Sequence, residues 1–200
     1  MPKRKTPSKS RSTRLGKTRI PFSPGDDSDE LLAIQTELEQ QTDRGAALLG
    51  GAFLEWRVKQ AISTRLKIWD ENATRIFGTD DRPGELGFLD QCRMAYCLGL
   101  VGTIGLKDLE VIAKIRNRFA HHFKVRSFDR DQKVRDFCTN LGSPAEHHQL
   151  FQLESTIEPT IPRARFKLTV NLLSSMLWLQ ATKGVVRWPV TKSTYMSIFW

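Results

Sequence analysis

The apolar residues of segment 108–123, DLEVIAKIRNRFAHHF, recur at steps of three and four residues, and this pattern constrains the fold most. With Leu109 as the reference and 100° per residue, Ile112, Ile115, Phe119 and Phe123 fall within an arc of about 80°. Such a stripe is typical of an amphipathic helix packed on one face. The spacing therefore predicts a helix over residues 106–122 with its apolar stripe continuing to Phe123.

Other segments have the same period or begin with capping residues, and they predict helices over 28–42, 44–68, 86–100, 127–141 and 166–180. For the last segment a buried strand is the alternative, because of Thr169, Val170 and Leu172. In the second of these, the face predicted to pack contains Leu48, Leu49, Ala52, Phe53, Trp56 and Gln60. Glycines are expected to weaken the join between the first two helices at Gly45, Gly50 and Gly51, and to separate the third and fourth at Gly102 and Gly105. No alternation of strands with helices is visible.

The fold class predicted is therefore all-α, a single helical bundle with two appended segments. The bundle is placed at 28–183, with loops predicted at 78–84 and 142–162 from their Gly, Pro and Asp content. Residues 1–25 are predicted to be a disordered basic tail, because a stretch so rich in Ser, Thr, Pro and Lys/Arg buries too little apolar surface to fold. Residues 184–200 are predicted to be an irregular C-terminal extension.

The net charge of +9 is concentrated in the N-terminal tail. Eight of the 31 Lys and Arg side chains lie in residues 1–19, which have no acid, so 23 face 22 acidic side chains in the rest of the chain. Such a tail predicts either an electrostatic arm for nucleic-acid phosphates or a solubilising extension. The nucleic-acid-binding candidates are Lys3, Arg4, Lys5, Lys9, Arg11, Arg14, Lys17 and Arg19.

Several other classes of protein are disfavoured. Three cysteines do not make a disulfide framework, and no apolar run suits a membrane span, so a cytoplasmic protein without membrane contact is expected. His121–His122, His147–His148, Cys92 and Cys97 lack the usual spacing of metal ligands, and no glycine-rich phosphate loop or catalytic triad order occurs. No metal and no cofactor are predicted.

Arg116 falls at the edge of the apolar stripe, whereas Asn117 and His121 lie beside each other on its flank. An arginine at a packing face needs a partner. One interpretation is a structural arginine held by Glu55 of the second helix. The other is an arginine held in a pocket or interface for a phosphate, whose oxygens match the guanidinium fork.

Four blocks of the chain resemble the mannitol repressor family, which has a Leu-Leu-Glu helix, an Ala-Tyr-x-Leu-Gly-Leu stretch and Ile-Arg-Asn-x-Phe-Ala-His before Ser-Phe-Asp. The corresponding blocks are AFLEWRVKQAI (52–62), LGFLDQCRMAYCLGLV (86–101), DLEVIAKIRNRFAHHF (108–123) and SFDRDQKVRDFCTNL (127–141). They occur in order and cover about residues 45–141. The resemblance implies an all-α negative regulator of bacterial transcription without a helix-turn-helix, and the family residues fall on Glu55, Tyr96, Arg116, Asn117 and His121.

The fourth helix is also similar to the HEPN superfamily, whose ribonucleases have an arginine, often an asparagine next, and a histidine four to six positions after the arginine. Arg116, Asn117 and His121 match that rule. The resemblance implies metal-independent RNA cleavage in a site shared by two protomers, with His121 as general base and Arg116 stabilising the phosphorane.

The function expected first is that of a mannitol-repressor-like transcriptional regulator whose basic tail contacts nucleic acid. A HEPN-type endoribonuclease and a helical protein-interaction scaffold are the alternatives, so enzymatic activity stays open. Nucleic acid or a regulatory protein is the expected partner, and a homodimer is compatible with either of the first two functions.

Overall fold

Helices account for 75% of the structure, beside one small two-stranded sheet in the described residues, which confirms the all-α prediction. The computed structural model describes residues 28–68, 70–79, 82–143 and 161–183. Within these ranges the helices are α1 (Ser28–Gln40), α2 (Asp43–Leu66), α3 (Glu71–Phe77), α4 (Phe88–Cys97), α5 (Thr103–His121), α6 (Gln132–Thr139) and α7 (Pro162–Lys183). None of the helices within these ranges is long and apolar enough to cross a lipid bilayer.

Two short strands, β1 (Gly78–Thr79) and β2 (Arg82–Pro83), pair antiparallel inside the predicted loop 78–84. The tail 1–25, the extension 184–200 and most of the predicted loop 142–162 lie outside the described residues. The prediction for residues 71–77 was incomplete, because α3 was not anticipated. Asp70 caps this helix through its side chain, which accepts a hydrogen bond from the Asn72 N–H.

Helix α2 lies at the centre of the bundle and packs against α1, α4, α5 and α7. Its predicted apolar face was partly wrong: Phe53 and Gln60 are buried, and the half-buried Leu49 and Trp56 pack against the core, but Ala52 is exposed. A helix surrounded by four neighbours buries more than one stripe, so a single amphipathic face describes it poorly. Its buried apolar residues are Ala46, Ala47, Phe53, Leu54, Val58, Ala61 and Ile62.

Gly50 and Gly51 are buried inside α2 and do not weaken a join, which corrects the prediction. A Cβ atom on Gly50 would lie 3.1 Å from Cε1 of Phe166 and 3.2 Å from Cγ2 of Val170, both in α7. These contacts are tighter than ordinary van der Waals separation. The absent side chain therefore allows α2 and α7 to approach closely.

Helix α5 begins at Thr103, so the predicted break at Gly105 is wrong. Gly105 is buried within the helix, where a Cβ would lie 3.3 Å from Val101 and 3.6 Å from Leu173. At the other end, the prediction that Phe123 belongs to the apolar stripe is also wrong. The helix ends at His121, and Phe123 is 74% exposed in the turn that follows.

The remaining boundaries differ from the sequence pattern by four residues or fewer, except at the start of α6. Helix α4 is shorter than the predicted segment 86–100, and α7 begins at Pro162, a residue suited to a first helical turn. Helix α6 begins after Asp131, whose carboxylate accepts from the Val134 N–H at 3.0 Å. Ser127 and Asp129, the predicted caps, lie in the preceding turns instead.

Phenylalanine rings join α5, the segment after it and α7 at the core. The ring centroids of Phe119 and Phe128 are 5.0 Å apart, and those of Phe128 and Phe166 are 5.1 Å apart. All three side chains are completely buried. Tilted pairs at this separation add to the stabilisation from burial, so they fix the chain that leaves α5 against the bundle.

Three arginines donate to carbonyl oxygens at or just beyond the ends of helices. Nη2 of Arg163 lies 2.6 Å from the carbonyl oxygen of Gln41 beyond α1, and its Nη1 lies 2.5 Å from the Asp43 carboxylate. Arg165 donates to the carbonyl of Leu141 after α6. Arg44 does the same after α5, at the candidate site.

Asp108 of α5 holds the loop after α6. Unlike the three arginines, which donate to carbonyl oxygens, its carboxylate accepts hydrogen bonds from backbone N–H groups. Its carboxylate oxygens lie 2.8 Å from the Gly142 nitrogen and 2.6 Å from the Ser143 nitrogen. The side chain is almost fully buried. A buried carboxylate is stable only with such partners, so this contact holds the loop in one position.

We expect Asp108→Ala to lower the free energy of unfolding by about 2–4 kcal/mol, because two backbone N–H groups lose their acceptor. Urea denaturation followed by circular dichroism measures the change. Asp90→Ala, which removes a surface ion pair with Arg93, is the matched control and should cost less than about 0.5 kcal/mol. A loss below about 1 kcal/mol for Asp108→Ala would contradict the assigned role.

Candidate functional site

The candidate site lies where α5 ends beside the N-terminal half of α2. The two helices run antiparallel: Arg44 at the start of α2 contacts the turn after α5, and Glu55 further along α2 contacts Arg116 earlier in α5. These two contacts define the register of α5 along α2. It places the sequence motif Arg116, Asn117 and His121 at one end of the bundle.

Arg116 pairs with Glu55, as the structural interpretation of the sequence predicted. Nη1 of Arg116 lies 2.9 Å from Oε2 of Glu55, and Nζ of Lys59 lies 3.3 Å from the other carboxylate oxygen. The Arg116 side chain remains 33% exposed and the Glu55 side chain 21% exposed. Solvent reaches both groups, so this is a half-buried pair whose stabilising effect lies between those of surface and buried ion pairs.

The stem of Arg116 lies across Gly51 of α2. A Cβ atom on Gly51 would be 2.7 Å from Cδ of Arg116 and 3.0 Å from its Cβ. A side chain at this position would force the arginine to move. Gly51 is therefore a positioning residue, which fixes the direction from which the guanidinium reaches Glu55.

The other members of the motif point away from that pair. Asn117 and His121 are exposed and lie one turn apart on α5. Neither side chain hydrogen-bonds to any residue in the described ranges. Tyr96 is 41% exposed near the end of α4 and likewise has no side-chain hydrogen bond there. Of the five family-motif residues, the structure brings Glu55 and Arg116 into contact, and Asn117 and His121 share a separate exposed face.

Arg118 forms a second ion pair, which links α5 to the start of α6. Its Nε and Nη2 atoms lie 2.8 Å and 2.7 Å from the two carboxylate oxygens of Asp131. The hydrogen bonds from Arg118 lower the pKa of Asp131, and the same contact raises the pKa of the Arg118 guanidinium. Because Asp131 also caps α6, one carboxylate orients both helices.

The sequence interpretation missed a basic surface on the folded body. Residues 111–128 contain five Lys or Arg side chains and two His and no acid, a run that the sum over the whole body conceals. Arg116 and Arg118 are paired, but the other cations are exposed and have no hydrogen bond or ion pair within the described chain. We define the basic surface by the exposed side chains Lys114, His121, His122, Lys124 and Arg126.

Arg44 holds the turn that presents this surface. Its Nη2 atom lies 3.1, 3.0 and 2.8 Å from the carbonyl oxygens of His122, Phe123 and Val125. The Val125 N–H also donates to the His122 carbonyl at 2.9 Å. The positive charge of Arg44 offsets the negative end of the α5 dipole, so the turn does not repel an anion as a bare helix C-terminus would.

The two buried thiols, Cys92 and Cys138, are poor nucleophiles, whereas Cys97 is exposed. Burial raises the pKa of Cys92 to about 12, with Glu110 and Glu55 adding to the effect, and burial likewise raises the pKa of Cys138 to about 12. Both stay protonated near neutral pH. The described residues hold no group of three or more His, Cys, Asp or Glu side chains suited to a metal ion, and His147–His148 lie outside them.

Comparison with known proteins identifies no significant relative of this chain. No protein-family model matches the chain, and no curated protein or solved structure matches it significantly. The resemblances to the mannitol repressor family and to the HEPN superfamily therefore stay predictions based on motif residues. The functional argument rests on the chain's own geometry and charge.

Gly51→Ala tests whether the glycine positions Arg116. Alanine favours the helix by about 0.5–1 kcal/mol, and the displaced arginine opposes that gain, so we expect no net stabilisation. A double-mutant cycle of Glu55→Gln and Arg116→Met should give a coupling of about 1 kcal/mol while Gly51 is retained, and a coupling close to zero in the Gly51→Ala background.

Ala52→Gly, at the exposed neighbouring position of α2, is the control that measures helix propensity without affecting Arg116. Thermal and urea denaturation give the stabilities. An unchanged coupling between Glu55 and Arg116 in the Gly51→Ala background would refute the positioning role.

Asp131→Asn should make the stability less dependent on acid pH. Because the folded-state pKa of Asp131 is lowered, its contribution is present above the unfolded value of about 3.9 and is lost as the pH falls through the folded value. Asparagine still caps α6 but loses the charge pair, so we expect a cost of about 1–2 kcal/mol at pH 7 that shrinks below about pH 4. Asp129→Asn is the control, and a pH-independent cost for Asp131→Asn would contradict the account.

Proposed function

We propose that the chain is a nucleic-acid-binding regulatory protein that acts as a negative regulator of transcription through its helical body and its basic tail. The observation that carries the proposal is the basic surface, which gathers unpaired cations at one end of α5 with no acid in residues 111–128. The resemblance to the mannitol repressor family supports the regulatory part of the proposal.

Electrostatics favours a polyanion as the partner. Lys114, Lys124 and Arg126 are exposed, and no acid of the described chain forms an ion pair with them. Cations of this kind bind phosphates by releasing condensed counterions, which makes affinity fall as salt rises. Asn117 and His121 lie on the same side of α5 and add hydrogen-bonding groups that can contact phosphate, sugar or base.

The tail and the basic surface would have different roles in binding nucleic acid. The eight cations of residues 1–19 would supply affinity that does not depend on sequence, as basic arms do. The basic surface, carried on a fixed turn, would supply orientation. A protein built in this way needs no helix inserted into the major groove, which agrees with the absence of a helix-turn-helix motif from the sequence pattern.

A HEPN-type endoribonuclease is the second candidate, and one observation favours it. His121 is exposed and Arg116 is one-third exposed, so both remain accessible to RNA. His121 would remove the proton of a 2′-hydroxyl, whose oxygen would attack the adjacent phosphorus, and Arg116 would stabilise the phosphorane. The P–O5′ bond would then break, leaving a 2′,3′-cyclic phosphate, and the 5′-oxygen would take a proton from solvent. Arg116 would have to leave Glu55 or reach the site from a second copy, since the two side chains lie on different sides of α5.

The same Arg116–Glu55 pair also supports the third candidate, a helical interaction scaffold. In that case the pair only fixes how α2 meets α5, and the exposed cations are a solvated surface. This candidate predicts no affinity for nucleic acid beyond what the tail provides. A binding experiment and a cleavage experiment separate the three functions.

Binding should depend on both basic elements. We expect the affinity of the full chain for a labelled oligonucleotide to fall with salt, with a smaller slope when residues 1–19 are deleted. Lys124→Ala should lower the log–log slope by about one, the effect of one lost phosphate contact. Fluorescence anisotropy at several salt concentrations measures both changes.

Arg65→Ala is the matched control for Lys124→Ala, because Arg65 is also exposed and lies about 30 Å along α2 from Arg44. It should leave the slope unchanged. The proposal fails if the full chain does not bind nucleic acid, and the body is excluded as a binding surface if Lys124→Ala and Arg65→Ala behave alike.

RNA cleavage in EDTA decides the second candidate. A ribonuclease of this type would cut single-stranded RNA without metal, and His121→Ala would abolish cutting without lowering the melting temperature, because His121 is exposed. His122→Ala is tested beside it, because His122 lies six positions after Arg116 and also satisfies the motif spacing, and Arg65→Ala, an exposed position of α2 outside the motif, is the control. Intact RNA after prolonged incubation with folded protein would remove the enzymatic alternative.

A further inference from the structure

We propose that Phe123 is a stacking platform for an unpaired base, so that the turn after α5 binds single-stranded nucleic acid in preference to duplex. This inference rests on the proposed function, whose partner it specifies. Phe123 is the most exposed large apolar side chain in the described part of the molecule, at 74%. Single exposed apolar residues are common, so its surroundings have to carry the argument.

The ring is surrounded along the chain by the basic surface. His122 and Lys124 flank it, and His121 and Arg126 lie within three residues on either side. All four are exposed. An aromatic ring beside the cations Lys124 and Arg126 is the combination that binds single strands, because the ring stacks on a base while the cations contact neighbouring phosphates.

The carboxylates of the segments that adjoin or contact this turn do not cancel its positive charge. Asp43 accepts from the Phe128 N–H and pairs with Arg163, and Asp131 pairs with Arg118. Asp129 is exposed, but the exposed Arg130 is its neighbour in the chain. The field around the ring is therefore that of the basic surface.

The turn is also held in place before any ligand arrives. The guanidinium of Arg44 binds three of its carbonyl oxygens, and the side chains of Val125 and Phe128 are buried in the core. The backbone on either side of Phe123 is thus held by Arg44 and by the core, while the Phe123 ring is exposed to solvent. A preformed platform loses little conformational entropy on binding, which favours affinity.

Stacking requires a base whose face is free, and this selects single strands. In a duplex the faces of the bases are covered by their neighbours, so only the cations of the turn would contact it. A second copy of this chain is a poorer occupant of the site. Two basic surfaces would face each other around the rings, and like charges brought together disfavour such a dimer.

The test compares Phe123→Leu with Phe123→Trp in the full chain. Leucine keeps an apolar side chain but has no aromatic face, whereas tryptophan enlarges it. Anisotropy is measured with a fluorescein-labelled dodecamer of deoxythymidine or uridine and with a hairpin duplex of equal phosphate count. We expect Phe123→Leu to weaken single-strand binding at least about fivefold, the lower limit for a lost stacked base, and to change duplex binding less than about twofold.

Phe123→Trp should bind single strands as tightly as the wild type or more tightly. Leu66→Ala is the matched control, since Leu66 is 43% exposed between Arg65 and Lys67 at the far end of α2 and is not aromatic. It should leave both affinities unchanged. Because Phe123 is so exposed, its variants should keep the wild-type melting temperature.

The outcomes separate this inference from the proposed function. If the wild type binds nucleic acid and Phe123→Leu binds single strands equally well, the stacking platform is refuted and the proposed function stands. If the wild type binds neither probe, the proposed function fails and the inference with it. A dimer in sedimentation that Phe123→Leu dissociates, with binding unchanged, would assign the ring to self-association and overturn the inference.

Discussion

Two consecutive glycines in α2 set the distances at which this helix meets α7 on one side and α5 on the other. The ring of Phe166 and the side chain of Val170 pack against Gly50, and the aliphatic part of the Arg116 side chain packs against Gly51. Neither contact leaves room for a Cβ without movement. Helix α2 also packs against α1 and α4, so it is the element to which four of the other helices are joined.

The register of α5 along α2 then determines which partner each arginine near the site contacts. Arg116 meets Glu55, and Arg44 reaches the carbonyl oxygens after α5. The fixed turn leaves Lys124 and Arg126 in solvent, where no carboxylate of the described chain pairs with them. The fold therefore separates its cations into those that hold helices together and those that remain available to a partner.

The all-α class and the long helices could be predicted because the three- and four-residue spacing of apolar side chains is a local property of the chain. The pair between Glu55 and Arg116 was also predictable, since an arginine at a packing face needs a carboxylate. Gly50 and Gly51 were misjudged because propensity describes an isolated helix, whereas tertiary packing makes a missing side chain favourable there.

The candidate site was predicted only in part. Phe123 has the helical spacing of the apolar stripe. The neighbouring sequence does not indicate that α5 ends at His121, which leaves the Phe123 ring exposed to solvent. Arg44, 78 residues from His122 in the sequence, fixes that turn, and such a distant contact has no sequence signature. The acid-free run of residues 111–128 was visible in the sequence, but only the structure separates its paired from its exposed cations.

We propose that nucleic acid binds the body of this protein at the end of α5. Amide chemical-shift mapping of the isotope-labelled full chain with a short deoxythymidine oligonucleotide tests it most directly. The account predicts that the largest shifts fall on Lys114–Arg126 and on the start of α2 around Arg44, with none near Leu66. Shifts confined to residues 1–19, or centred on the far end of α2, would contradict it.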